Sequence, residues 1–258
     1  MTRQRPLWLL LFVVLCISGA ASAQESDDSL NEYLQNYDVL LLYPEAIWSD
    51  FVLLRPVTDF ASASMTVTQQ SGFNQTVTLS LSDIAEVTEP YTDFEYVWPI
   101  PLENPPRLYE LTTVRWDFTR TDGTIDSLAV SLRFEDNRAA WLTDATENVR
   151  LASPDRLNPA TIRNEVEQLY TLMQTRSRQS GQIGLALYDS GLPSDPCERD
   201  ASGAPIVRAQ GIVRSVTLPC DAARSQALHA ASGYTLVQVD YLTYNAALEA
   251  VSRALVDR

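Results

Sequence analysis

The sequence predicts a mixed protein, with an all-β sandwich over residues 37–144 and an α/β or α+β domain over residues 145–258. Three observations carry that expectation. Through the first part, apolar residues alternate with polar ones at period two, the pattern of strands with one buried face. The longest alternating stretch is broken by Thr121-Asp122-Gly123-Thr124, a hairpin turn signal. Beyond residue 144, apolar residues recur at three- and four-residue spacing between short strand-like runs.

The chain opens with Arg3 and Arg5, an apolar run from Leu7 to Ile17, and then Ala21-Ser22-Ala23. A basic start, a short apolar run and an A-x-A site predict a secretory signal peptide over residues 1–23, cut before Gln24. The run is short for a membrane span, so a retained N-terminal anchor is the alternative. Cys16 follows Leu15 rather than a small residue, which does not suit lipid attachment. Residues 24–36 are polar and acidic and read as a loose leader.

Short apolar runs follow at Tyr37–Tyr43 and Phe51–Leu54, separated by Pro44. Ala61, Ala63, Met65 and Val67 alternate with serine and threonine, and Val77, Leu79 and Leu81 repeat the pattern after the turn at Ser71-Gly72. Phe94, Tyr96 and Trp98 form an aromatic strand before the proline-rich connection 99–106. In the hairpin, Val114, Trp116 and Phe118 face the same way on one arm, and Leu128, Val130, Leu132 and Phe134 on the other. Asp-Gly supplies positive φ angles for the turn, and Trp141 is placed to fold back on the apolar face. About seven strands at this spacing predict a sandwich, with no helix before Trp141.

In the second part Val149–Leu151 reads as a strand, and Asn158-Pro159 as a capped helix start followed by Ile162, Val166, Leu169 and Met173. Arg176 and Arg178 stand near that helix end, with Gly181 beyond. Ile183–Tyr188 reads as a buried strand, 189–205 as a polar loop, and Ile206–Leu218 as strand broken at Gly211. A short helix over Asp221–Ala231, a strand over Tyr234–Asp240 and a last helix over Thr243–Val256 complete the pattern. On that last helix Tyr244, Leu248, Val251 and Leu255 share a face.

Composition narrows the function. Formal charge is −14, and loss of Arg3 and Arg5 with the leader makes it two units more negative. So acidic a surface repels phosphate backbones, which argues against a nucleic-acid partner. Every cation is arginine, so Schiff-base and phosphate-loop lysine chemistry is excluded. After leader removal Cys197 and Cys220 remain, an even pair that reads as a disulfide in an exported protein. Closing that loop contributes ~3 kcal/mol in the chain-entropy account.

Few residues offer chemistry. His229 is the only histidine; Ser225 lies four residues before it, but no G-x-S-x-G elbow frames that serine. A lone helical histidine reads first as surface or partial core. Asp189-Ser190-Gly191 has the form of an aspartic-protease loop, yet no second such triplet supplies the partner carboxylate, and the same residues make a good turn. Asp189, Asp195, Glu198 and Asp200 gather oxygens around Cys197 without matching a calcium-loop spacing. Asn74-Gln75-Thr76 fits a glycosylation sequon. Tyr91, Tyr96 and Trp98 are a ligand platform or, more plainly, core.

These residues also carry a likeness. In V-R-W-D-F-T-R-T-D-G, the corner F-E-D-N-R-A-A-W, and the strand–helix–strand order over 149–188, the chain resembles a group of secreted bacterial proteins. They pair an immunoglobulin-like β-domain with a domain similar to the peptidase-MA (gluzincin-like) metallopeptidases. The likeness runs from Tyr37 to the C-terminus, and it implies a zinc-peptidase scaffold. Where A-H-E-x-x-H would stand on a late helix, this chain has Ala247-Leu248-Glu249-Ala250-Val251-Ser252. The glutamate is present, but Leu248 and Ser252 replace both imidazole ligands.

The functional expectation is therefore an exported, non-catalytic protein binding an extracellular protein, polymer or small ligand. No catalytic residue, metal or cofactor is assigned. The alternative is a hydrolase working with Asp and Glu carboxylates alone, which needs two of them about 5–10 Å apart in one cleft.

Overall fold

The computed structural model describes residues 34–88, 91–177, 181–210 and 215–256. The expected signal peptide and most of the expected leader lie outside the described residues. The protein has an N-terminal part of antiparallel sheets and a C-terminal part built on a mixed sheet with helices.

In the N-terminal part, β1 (Leu34–Leu42), β2 (Ala46–Leu53), β5 (Ala85–Thr88) and β6 (Tyr91–Pro99) form one sheet in the order β1-β2-β6-β5. The second sheet runs β4-β3-β7-β8 through β3 (Phe60–Gln69), β4 (Asn74–Leu79), β7 (Glu110–Arg120) and β8 (Ile125–Phe134). The alternation read from the sequence places Met65, Val67, Val114, Trp116 and Phe118 inside. Across the interface Phe51 meets Trp116 edge-on at 5.2 Å, and Phe94 meets Phe118 at 5.2 Å. The outer face of the second sheet carries Thr66 against Thr76 and Thr113 against Ser131, a hydroxyl-bearing surface left to water.

Three local expectations change. The strand expected to include Leu81 ends at Leu79, and Leu81–Ile84 form a single helical turn, α1, after Ser80 in extended conformation. β5 follows that turn, so eight strands stand where about seven were expected. The hairpin loop uses positive φ at Gly123 (88°) and not at Asp122. Gly123 N–H donates to Arg120 C=O at 3.0 Å, while Asp122 Oδ1 accepts from Thr124 N and Oγ1. The aspartate thus caps the loop with its side chain instead of adopting a left-handed backbone.

β2 shows why part of the first sheet was hard to read. It begins at Ala46, well before Phe51, and it is buried on both faces, so no alternation survives. Ile47 and Phe51 belong to the sandwich core, whereas Trp48 packs with Leu42, Val207 and Cys220. That second cover comes from a three-stranded antiparallel sheet of β12 (Glu198–Arg199), β13 (Pro205–Gln210) and β14 (Ser215–Pro219). The expected break at Gly211 lies outside the described residues. Cys197 and Cys220 are bonded, with Cα atoms 5.6 Å apart.

The mixed sheet runs β15-β11-β10-β9, from β9 (Trp141–Ala145), β10 (Val149–Pro154), β11 (Ile183–Asp189) and β15 (Tyr234–Val239). β10, β11 and β15 are parallel, and β9 is antiparallel. Asn158 accepts from Ala160 N at 3.0 Å and caps a 3₁₀ turn, after which α2 (Arg163–Ser177) begins. α2 and α4 (Tyr244–Val256) cover one face of the sheet through Val166, Tyr170, Val251 and Leu255. The other face, with Ala152, Ala186, Tyr188 and Tyr234, joins the sandwich core, and α3 (Ala222–Ala231) lies in that seam. Trp141, expected to fold back on the hairpin's apolar face, opens β9 and joins the same core cluster as that face, packing on Tyr109 and Tyr188 at 5.1 and 4.9 Å.

Candidate functional site

α3 positions a set of polar side chains in the protein's interior. Asp221 caps it by accepting from Ala223 N, and Arg224 binds Glu45 at 2.9 Å and donates to Ile100 C=O. Ser225, Leu228, His229 and Ser232 follow at three- and four-residue spacing on the buried side. Gly233 ends the helix at φ 75°, and a Cβ there would come within 2.6 Å of Arg150 Nη2. The positive φ favours glycine, since the guanidinium tip could move aside.

His229 is 1% exposed and sits between three tyrosines drawn from different parts of the fold. Its Nδ1 lies 2.8 Å from Ser225 C=O, which can only accept, so Nδ1 carries the proton. Nε2 is then the acceptor, and the Tyr109 hydroxyl donates to it at 3.0 Å. The Tyr43 hydroxyl bonds Ser225 Oγ at 2.8 Å. Tyr188 stands 3.4 Å from Nε2 and donates to Asp136 Oδ2 at 3.3 Å. Asp136 is held by Arg138 through Nε at 2.9 Å and Nη2 at 2.6 Å. Arg138 goes on to donate to Pro193 and Asp195 carbonyls, in the loop that ends at Cys197.

Burial governs the protonation of this cluster. It pushes His229 down to about 4, against smaller opposing effects of the Ser225 carbonyl and Asp136. Burial likewise raises the phenols of Tyr43, Tyr109 and Tyr188. At neutral pH the histidine and the phenols are therefore uncharged, and each named proton has an acceptor. Ser225, His229 and Asp136 are buried, so the arrangement fastens surfaces together and offers no substrate access.

A cleft of about 380 Å³ opens beside the junction, lined by Tyr109, Glu110, Thr143, Asp144, Arg150 and Tyr234. Arg150 lies over the Tyr234 ring, 4.9 Å from its centre, and donates to Ser232 C=O at 3.1 Å. Asp144 receives Arg163 Nη1 on both oxygens, at 3.3 and 3.1 Å, and Ala145 N at 2.8 Å. Tyr109 belongs to both sites, since it lines the cleft and its hydroxyl bonds His229. Its φ of 67° is unusual for so bulky a residue.

Of the residues singled out from sequence, only Ser225 and His229 come together in this cluster; the others do not converge. Asp189 pairs with Arg156 at 3.1 Å and accepts from Gly191 N, while Ser190 donates to Asp240 C=O. That triplet closes a turn at the end of β11. Asp195 Oδ1 accepts from Cys197 N, and Asp200 Oδ1 from Ser202 and Ala204. Among the described residues no group of three or more His, Cys, Asp or Glu is placed to hold a metal ion. Asn74 is exposed at the start of edge strand β4. Trp98 is core against Phe73, and Tyr96 packs on Trp116. Glu249 lies on the solvent side of α4, facing Arg253 at 3.7 Å, and Leu248 packs into the second core.

Sequence reasoning missed Tyr43, Tyr109, Asp136, Arg138 and Tyr188 as a set. The one available signal was the corner Phe134–Trp141, whose Asp136 and Arg138 form the buried pair.

No protein-family profile and no curated protein matches the sequence. Among solved structures, a glycosyl hydrolase family 2 member from Bacteroides cellulosilyticus aligns over 81% of this chain and 24% of its own, at 8% identity and TM-score 0.25. A beta-galacturonidase from Eisenbergiella tayi, bound to galacturonate, aligns over 81% of this chain and 33% of its own, at 10% identity and TM-score 0.24. A purple acid phosphatase from yellow lupin seeds aligns at 7% identity and TM-score 0.22. This chain thus spans a third or less of the first two, and likenesses at these scores assign neither family nor activity. Among the described residues no helix is long and apolar enough to cross a membrane.

Proposed function

We propose that this is an exported, non-catalytic binding protein whose ligand site is the seam cleft between the antiparallel sheets and the mixed sheet. The observation that carries the reading is the placement of the reactive side chains. The only histidine is buried in the seam beside the Asp136–Arg138 pair, and both cysteines are tied up in the disulfide. The cleft beside them offers recognition groups of both signs together with a tyrosine. An immunoglobulin-like sandwich joined to a peptidase-derived domain without its zinc site accommodates this reading. In it α4 acts as a core helix through Ala247, Val251 and Leu255, with Glu249 turned to solvent.

The hydrolase alternative is favoured by one observation, that Glu110 and Asp144 line the same cleft. Both oxygens of Asp144 are nevertheless already taken by Arg163, and Oδ1 also by Ala145 N, which leaves it poorly placed to engage a substrate or a water. Purified mature protein separates the readings. It should show no turnover of peptides or chromogenic glycosides, with or without chelator. It should also be retained on extracellular polymer or partner preparations, and Glu110→Lys with Thr143→Arg should abolish that retention. Chelator-sensitive peptide turnover restored by zinc would overturn the binding reading, as would glycoside turnover lost in Glu110→Gln and Asp144→Asn.

A further inference from the structure

We propose that the seam is an acid-released latch, in which protonation of His229 frees α3 from the sandwich and opens the cleft at Tyr109. The inference does not depend on what the cleft binds.

It follows from which groups face the imidazole. The loop after β1 presents Tyr43, the loop before β7 presents Tyr109, and β11 presents Tyr188. The corner after β8 presents Asp136 with Arg138, and α3 itself presents the Ser225 carbonyl. Farther out, Arg224 is matched by Glu45, and Arg150 lies over Tyr234, whose ring packs on Tyr109. Asp136 is the anion nearest to serve a cationic imidazole, and both its oxygens are taken. Oδ1 accepts Arg138 N and Nε, and Oδ2 accepts Arg138 Nη2 and the Tyr188 hydroxyl.

A proton arriving from solvent has one place to bind, because Nδ1–H is already donated to Ser225. It must go to Nε2, the atom that receives the Tyr109 hydroxyl. Two donors then face each other across 3.0 Å, and Tyr109 has to turn its proton away inside a sealed site. The new charge also sits where water is excluded, which disfavours it until the seam opens. Parting the seam relieves both. Tyr109, at φ 67°, is also held by its neighbour Leu108, whose N–H bonds Ser232 Oγ at 2.8 Å, so losing α3 releases this segment from two sides. Because Tyr109 lines the cleft, the same movement widens it.

The single histidine makes the test direct, since one labelled imidazole reports on the intact mature chain. The imidazole signal, near-ultraviolet circular dichroism and amide exchange are followed from pH 7.5 to about 3.5, a range that brackets the ordinary histidine value of 6.5 and the lowered one of about 4. We expect His229 to titrate below 6.5 together with loss of the aromatic signal. Amides of 107–110 and 222–232 should exchange at least about tenfold faster while β7 and β8 stay protected. In His229→Gln the seam transition should vanish from this window. Should that variant fail to fold, Tyr109→Phe serves, since removing the donor to Nε2 should move the transition up by about one pH unit. An imidazole titrating at its ordinary value without a change at the seam overturns the proposal. So does an unaltered acid transition in His229→Gln, or an unmoved one in Tyr109→Phe.

Discussion

The sandwich interior and the seam are both closed to water, yet they are built from different materials. Between the two antiparallel sheets lie Phe51, Met65, Phe94, Trp116 and Phe118, close-packed rings with few polar atoms among them. At the seam lie His229, Tyr43, Tyr109, Tyr188, Asp136 and Arg138, where burial is tolerable because each polar atom has a designated partner. The first region depends on volume and responds to cavities. The second depends on proton placement and charge, so it responds to pH and to loss of a single partner. An apolar interior has no preferred protonation state, and this seam has one.

Measurements on variants of each region test that contrast. Trp116→Ala should be the most damaging change, costing ~3–5 kcal/mol in urea unfolding with little dependence on pH. Arg138→Ala leaves the 1% exposed Asp136 side chain without its counter-charge and should cost ~3 kcal/mol. Urea midpoints of this variant beside those of Trp116→Ala show which region loses more. Opening Cys197–Cys220 with reductant, or replacing both residues by serine, should cost a comparable ~3 kcal/mol, since the bond closes the segment between Arg138's loop and the start of α3.

Acid acts on the seam through His229. Its folded value lies below its unfolded one, so the unfolded chain takes up the proton first. The stability is fully present above pH 6.5 and is lost as pH falls toward about 4. The loss amounts to ~3 kcal/mol, read from thermal or urea unfolding across that window, and His229→Gln should flatten the dependence. Glu249→Ala should be the smallest effect, within about 0.5 kcal/mol, because that side chain is solvated and its pairing with Arg253 is loose. A large loss there would show that α4 does more than close the second core.

Local pattern along the chain is enough for part of this architecture. Alternation in 61–67 and 111–134, the strand–helix succession after residue 149, the Asn158 cap and the pairing of two cysteines are visible because each depends on neighbours in the chain or on a count. β2 escaped reading because a sheet formed by residues 198–219 buries its second face and erases the alternation. The seam was decided by tertiary structure alone. Tyr43 and His229 are separated by 186 positions, Tyr109 and His229 by 120, and Tyr188 and Asp136 by 52. The corner holding Asp136 and the single histidine stand out in sequence, but their partners do not, and the set exists only through atoms that folding brings within 3.5 Å. A hydrogen bond is specified by geometry across space, and no periodicity along the chain encodes it.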